Sequence, residues 1–282
     1  MLNLIMTTRN IVSNESQRFL ESLTNLSEDI KKNVLLVIVN QGEKMEAELD
    51  INYKEVCIEK CSLSHARNVG LQYIEESGIV GFPDDDCWYN QTVLPFVLEN
   101  IVDKDFICVG VFDPYKNIPY GRNREMNQIA PITEENVLVL PISVGIFYKY
   151  NSIDDIPKFD EKFGVGTEWG SGEETDFLLQ LMYNGKKGVY NSFDCVYHEA
   201  ERNKDYDVKV TYKYSLGFAA MVIKSYITRN QIGVYKHLKK LMFRTRLAIL
   251  YYMFSPKKRS VYVARLKGLN KGLKEGRNYY KK

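Results

Sequence analysis

The chain of 282 residues contains no run of 18 uncharged apolar residues, which argues against a membrane-spanning helix. Its longest apolar stretches, Leu216–Ile223 and Leu247–Phe254, are too short. The start, Met1-Leu2-Asn3-Leu4-Ile5-Met6, lacks the basic flank and long apolar core of a secretory signal. Cysteine is scarce: Cys57, Cys61, Cys87, Cys108 and Cys195 make an odd number with no C-x-x-C pair. That spacing argues against a zinc site or a disulfide framework and reads as buried, reduced thiols of a cytosolic protein. Glycine is missing where a phosphate loop would need it. Met6-Thr7-Thr8-Arg9-Asn10, after the first apolar segment, has none, so it supports neither a P-loop nor a dinucleotide fingerprint. Acid almost vanishes at the end: residues 208–282 carry 19 Lys and Arg against one acid, Glu275. Residues 1–207 hold the other 19 basic and 35 acidic side chains, so an acidic body of −16 precedes a basic tail of +18. Such a tail suits an anionic surface, a membrane leaflet or nucleic acid.

What is present is a core. Apolar residues make up 45% of the chain, which argues against general disorder. Strand and helix patterns alternate through the first hundred residues. Leu2–Met6, the apolar run Val34–Val39, Val56–Ile58, Ile79–Phe82 and Phe106–Val111 read as strands. Glu15–Leu26, Ser64–Glu76 (with Ser64 as N-cap) and Thr92–Asn100 read as helices. This βαβ alternation predicts an α/β fold with a mostly parallel sheet flanked by helices. Residues 113–135, with Pro114, Pro119 and Pro131, read as a long loop. Val137–Leu140, Gly145–Lys149 and Cys195–Tyr197 read as further strands, and Glu173–Asn184 as a helix. From about Tyr212 the pattern is helical and basic, with Pro256 separating two helices.

Asp84, Asp85 and Asp86 directly follow the apolar run Ile79-Val80-Gly81-Phe82-Pro83. In an open α/β sheet, ligands bind beyond the carboxyl ends of the strands. Three crowded carboxylates repel one another, so something positive should hold them, for which a hard divalent cation carrying a phosphorylated substrate is the natural candidate. A solvated acidic turn is the plain alternative. Thr7, Thr8 and Arg9 end the first strand, and Asn40 and Gln41 end the second, with amides able to read the edge of a base. Arg67, in the first turn of a helix, suits a pyrophosphate. The segment from Gly164 to Asp176 is rich in glycine and closes on Glu173, Glu174 and Asp176 at a helix start. Those acids either stabilise the helix terminus or serve as a general base beside a sugar hydroxyl. His198 follows a strand and is a candidate ligand to the same cation.

In their order, several of these segments resemble the family 2 glycosyltransferases with the GT-A fold, especially bacterial enzymes of cell-surface polysaccharide assembly. The matching segments are Ser64-His65-Ala66-Arg67-Asn68-Val69-Gly70, Phe82-Pro83-Asp84-Asp85-Asp86, Phe159-Asp160-Glu161-Lys162-Phe163-Gly164, Trp169-Gly170-Ser171-Gly172-Glu173-Glu174-Thr175-Asp176 and Val196-Tyr197-His198. They span roughly residues 2–200. The resemblance implies a GT-A catalytic domain over 1–205, with a nucleotide-sugar half to about 112 and an acceptor half from 113, and a basic helical extension over 206–282. It implies that Thr7, Thr8 and Arg9 lie at the base and ribose, that Asn40 faces the base, and that Arg67 lies near the base or diphosphate. Asp84 and Asp85 belong to the donor site, where one aspartate binds ribose. Asp86, with His198, holds Mn²⁺ or Mg²⁺ on the diphosphate. Glu174 matches the catalytic base, with Glu173 and Asp176 beside it. Many members carry Glu-Asp where this chain has Glu173-Glu174, and the opening segment departs from a common Pro-x-Tyr-Asn form.

The implied reaction is inverting transfer of a hexose from a nucleotide sugar, a UDP-sugar before others, to a hydroxyl of a glycan or lipid-linked acceptor. The alternatives are a sugar-nucleotide nucleotidyltransferase, for which the glycine-rich basic loop is lacking, and a non-catalytic membrane- or polyanion-binding module. In the tail, Lys236, Lys239, Lys240, Arg244 and Arg246 interleave with Leu238, Leu241, Met242, Phe243 and Leu247. Such a segment either lies on an anionic membrane, peripheral on its inner face, or packs its apolar side on the enzyme. It would also suit homodimer packing. A nucleic-acid partner is not expected.

Overall fold

A computed structural model describes residues 1–46, 48–121, 125–200 and 207–281. The apolar runs become the strands of one sheet. β1 (Leu2–Thr8) and β2 (Val34–Asn40) are buried along their whole length, which is why they read as continuous rather than alternating apolar segments. β3 (Asn52–Cys57), β4 (Gly78–Gly81), β5 (Cys87–Trp88), β6 (Phe106–Asp113), β7 (Ile118–Pro119), β8 (Ile129–Pro131), β9 (Ile146–Tyr150) and β10 (Gly188–His198) complete it. The order is β3-β2-β1-β4-β9-β6-β10-β5, with β7 on β6 and β8 on β10. Pairing is parallel through β3-β2-β1-β4 and for β6 with β10. β9 runs antiparallel between β4 and β6.

Helices follow the strands. α1 (Asn14–Thr24) starts at Ser13, whose side chain accepts from the Ser16 amide, and buries Phe19, Leu20 and Leu23. The short α2 is Glu28–Lys31. α3 (Leu63–Gly70) is capped by Ser62, not by Ser64, which lies fully buried inside the helix. The serine that begins an apolar periodicity is the cap only if it precedes the first helical residue. α4 is Val93–Asn100 and α5 is Glu173–Tyr183. Phe177, Leu178 and Leu181 are inward on α5. α6 (Val208–Arg229) begins at Asp207, whose carboxylate accepts from the Lys209 and Val210 amides. α7 is Ile232–Tyr251, and Pro256 opens α8 (Pro256–Tyr280).

Other sequence expectations are corrected besides the cap: α3 ends at Gly70 and not at Glu76, and residues 113–135 contain the short strands β7 and β8. Residues 137–140 are a turn and not a strand: the amides of Asn136 and Val137 donate to the Thr133 carbonyl, and the Asn136 side chain accepts from the Thr133 amide. The last strand is longer than Cys195–Tyr197, because β10 starts at Gly188 and shifts register between Asn191 and Cys195. That irregularity interrupts the apolar alternation and hides the first half of the strand.

The chain forms two compact units. One comprises Met1–Ile132, Val139–Lys158 and Asn184–Ala200, and the other Thr133–Leu138, Phe159–Tyr183 and Glu201–Lys282. The sequence-expected boundary at 205/206 lies outside the described residues. In the second unit α6 and α8 approach closely along Gly268, Gly272 and Gly276. A Cβ at these positions would run into the Tyr212 carbonyl, the Leu216 carbonyl and the Ile223 side chain respectively. Among the described residues no helix is long and apolar enough to cross a membrane.

Candidate functional site

The parallel strands β1, β2 and β4 bring Thr7, Thr8, Asn40 and the three aspartates to one edge of the sheet, and Thr7 bridges to Asp84. β5 pairs antiparallel with β10, setting His198 opposite Cys87, the residue after Asp86. The topology thus delivers His198 to the acidic cluster from 112 positions away along the chain, measured from Asp86.

Each aspartate has its own partner. Arg67, only 1% exposed, donates from Nη2 to Asp84 Oδ1 at 3.0 Å, with its guanidinium 5.9 Å from the Phe82 ring centre. Thr8 Oγ1 donates to Asp85 Oδ2 at 2.6 Å. Burial raises the pKa of Asp85, and the charge of Asp86 adds to it. His198 Nε2 lies 3.1 Å from Asp86 Oδ1. The sequence expectation of one positive centre for three carboxylates therefore resolves into an arginine, a hydroxyl and an imidazole. Among the described residues no group of three or more His, Cys, Asp or Glu could hold a metal ion.

The Asp86–His198 pair nevertheless fits a cation. His198 Nδ1 is 2.9 Å from the Glu199 carbonyl, which can only accept, so Nδ1 carries a hydrogen. Nε2 of a neutral ring then turns its lone pair toward a carboxylate oxygen. That arrangement is favourable only with a cation between them, either a proton or a metal. A ring nitrogen tied to a backbone carbonyl is also how metal-binding histidines are commonly oriented. One carboxylate and one imidazole leave most of a coordination shell for substrate phosphate and water, as hard divalent cations accept. Burial disfavours the imidazolium, but Asp86 and the Glu199 carbonyl raise the pKa of His198 overall.

Two expected donor residues are engaged in the fold. Asn40 is fully buried, and its amide donates to the Glu43 carbonyl and Glu55 Oε1 while accepting from the Gly42 amide. Both amide hydrogens hold the loop, leaving no donor for a base. Arg9 is exposed, and its Nη2 donates to the Cys61 carbonyl at 2.9 Å. Thr7 is buried beside Thr8.

Sequence reasoning missed Arg18 and Asp113. The Arg18 guanidinium lies 3.7 Å from the Trp88 ring centre, donates to the Asp86 carbonyl and pairs with Glu199 at 2.6 Å. Asp113, fully buried at the end of β6, accepts from the amides of Tyr115, Lys116 and Ala200. Burial opposes its charge, but these bonds and Lys116 hold its pKa below the ordinary value. A lone acid closing an apolar strand was the available signal.

In the second unit the expected acids separate by role. Asp176 is fully buried. Its Oδ2 accepts from Lys224 Nζ at 2.6 Å and its Oδ1 from Arg229 at 2.8 Å. Lys224 also donates to Asp160 Oδ2 at 2.7 Å, and Tyr280 donates to the same oxygen at 2.6 Å. Two acids and two bases thus balance inside the unit, making Asp176 an anchor for α6 and not a base available to substrate. The missed signal was Lys224, a cation inside the apolar face of α6. Glu173 is buried at the start of α5. Glu174 is partly exposed, and its Oε2 is buried with no hydrogen-bond partner among the described residues.

No protein-family model and no curated relative matches the chain. Solved structures do. The crystal structure of S. aureus TarS 1-349 aligns with a TM-score of 0.55 and 15% identity, covering 99% of this chain and 91% of that one. The same protein in complex with UDP-GlcNAc gives 0.54 and 14%, covering 99% and 92%. The mannosyltransferase PcManGT from Pyrobaculum calidifontis, in complex with GDP-Man and Mn2+, gives 0.61 and 13%, covering 97% and 87%. At these identities the likeness is one of fold, and the chain has the GT-A fold.

Proposed function

We propose that this protein transfers a sugar from a nucleotide-sugar donor, a UDP-sugar, to a hydroxyl of a glycan or lipid-linked acceptor, with inversion at the anomeric carbon. The observation that carries this reading is the Asp86–His198 pair, a two-donor cation slot where β4 and β10 of the mixed sheet reach their carboxyl ends. The fold supports it, since similar structures include complexes with UDP-GlcNAc and with GDP-Man and Mn2+.

Asp86 and His198 would hold Mn²⁺ or Mg²⁺, which when bound supplies neutralising charge to the diphosphate leaving group. Asp85, oriented by Thr8, is the candidate for a ribose hydroxyl. Asp84 is held by Arg67, so Arg67 acts by fixing the acidic turn. Arg9 and the exposed rim of the donor edge meet the nucleotide. Glu174, with one carboxylate oxygen unpartnered among the described residues, takes the proton from the acceptor hydroxyl as that oxygen attacks. Asp176 and Asn40 are supports in this reading.

Calorimetric titration with UDP, with and without Mn²⁺, tests it in the wild type and in Asp86→Ala. Metal-dependent binding lost in Asp86→Ala is expected. Metal-independent binding would remove the role given to Asp86 and His198. Absence of binding to UDP, GDP, CMP and dTDP alike would favour the non-catalytic reading.

A further inference from the structure

The turn between α7 and α8 carries an apolar tip. Leu250 is 68% exposed, Tyr251 80% and Phe254 91%, with Leu247 and Met253 exposed beside them. The earlier part of α7 differs, because Val234, Leu238 and Met242 are buried. The amphipathic pattern therefore packs within its own unit at the start of the helix and is left uncovered at the end. The turn is also shaped. Tyr252 stacks on Tyr262 with ring centres 5.4 Å apart, and Lys258 lies 5.3 Å from the Tyr252 ring. Contiguous exposure of large apolar side chains marks an interaction surface.

A basic groove adjoins the tip. Pro256, at the start of α8, lines a cavity of about 700 Å³ together with the first turns of α6. Val208, Tyr212, Val263 and Ala264 give it apolar walls, and Lys209, Lys213, Arg259 and Lys267 also line it. No acid is among its lining residues.

We propose that this end of the helical unit docks on an anionic lipid bilayer. The side chains of 247–254 enter the boundary between headgroups and acyl chains, and the groove takes a lipid phosphate against its cations. Charge and apolarity side by side select this occupant, because an anionic amphipath satisfies both and each alone has simpler partners. Nucleic acid would answer the cations and could stack on Tyr251 and Phe254, but it has no use for Leu247, Leu250 and Met253 exposed beside them. A second copy docked face to face would set cation against cation, since residues 208–282 hold only one acid. The proposal does not depend on the sugar-transfer chemistry.

Flotation with vesicles of phosphatidylcholine plus phosphatidylglycerol, against phosphatidylcholine alone, tests it on the full chain. Wild type should float with the mixed vesicles only, and less as salt rises. Combined Leu250→Ser, Met253→Ser and Phe254→Ser should lower the bound fraction at least about tenfold with circular dichroism unchanged. Lys209→Glu with Lys267→Glu should do the same while leaving the tip intact. Any of three results would overturn the proposal: wild type that stays in solution, a serine variant that floats normally, or a dimer in light scattering that the serine variant splits.

Discussion

His198 and Asp86 face each other, imidazole nitrogen to carboxylate oxygen, at 3.1 Å, while the other ring nitrogen is tied to the Glu199 carbonyl. His198→Ala removes one of the two side chains proposed to hold the cation. With Mn²⁺ present, affinity for UDP should fall about 10- to 100-fold. Without metal it should not change. Equal affinities for both proteins in the presence of metal would take the histidine out of the cation site.

Glu174→Gln keeps the shape of the side chain and removes its basicity. The turnover number should fall by about 10² to 10⁴, with metal-dependent UDP affinity within about twofold of wild type. Release of UDP under saturating donor, in the presence of acceptor, measures it. Glu173→Gln is the paired control. A larger loss there would exchange the roles of the two neighbours.

Asp176→Asn should cost stability more than chemistry. It leaves Lys224 and Arg229 without their shared buried carboxylate. Loss of one member of a buried ionic network costs about 3 kcal/mol. Denaturant unfolding should show this, while UDP binding under native conditions is retained. Full stability in the variant would contradict the anchoring role.

The same network predicts an acid limb. Burial opposes the charge of Asp160, but Lys224 and Tyr280 hold its pKa below the ordinary 3.8. A depressed folded-state pKa gives stability that is fully present above the unfolded value and lost as pH falls through the folded one. Melting temperature should therefore drop as pH descends below about 4. Asp160→Asn should melt lower at neutral pH and show a shallower decline on acidification. Parallel curves for the two proteins would dismiss the linkage.

Gly272→Val tests the close approach of α6 and α8. The new side chain meets the Leu216 backbone carbonyl, which cannot rotate away. Overpacking of this kind costs about 1–3 kcal/mol. The same change at Gly185, where a Cβ meets nothing within 4 Å, serves as a comparison for backbone strain alone, since its φ is +78°.

Much of the acidic edge of the sheet was legible in the sequence because it depends on local order: an apolar strand followed by Asp84-Asp85-Asp86 declares its own position. The partners of those acids were less so. Arg67 belongs to a recognisable segment, but Arg18 reaches Asp86 and Trp88 only through the packing of α1. The partners of Asn40 were not legible, because an amide at a strand end is suited equally to a base and to a loop, and here Glu43 and Glu55 take its hydrogens. Asp176 looked like a member of an acidic trio. Its separation from Glu174 is made by Lys224 and Arg229, 48 and 53 positions downstream, beyond the reach of any spacing rule. The first half of β10 was hidden by a register shift, a property of strand pairing and not of composition.

The glycines at 268, 272 and 276 recur every fourth residue, and α8 ends just beyond them at Tyr280, whose hydroxyl reaches Asp160. One residue inserted between the first glycine and the tyrosine would turn everything after it by about 100° around the helix axis and slide it by about 1.5 Å. The hydroxyl would then swing away from its acid, and bulky side chains would rotate into the place of the glycines. The second half of α8 is thus phase-locked from Gly268 to Tyr280. It tolerates exchange of its outward residues but not a change in their number, so length variation among relatives should collect in loops and spare this span.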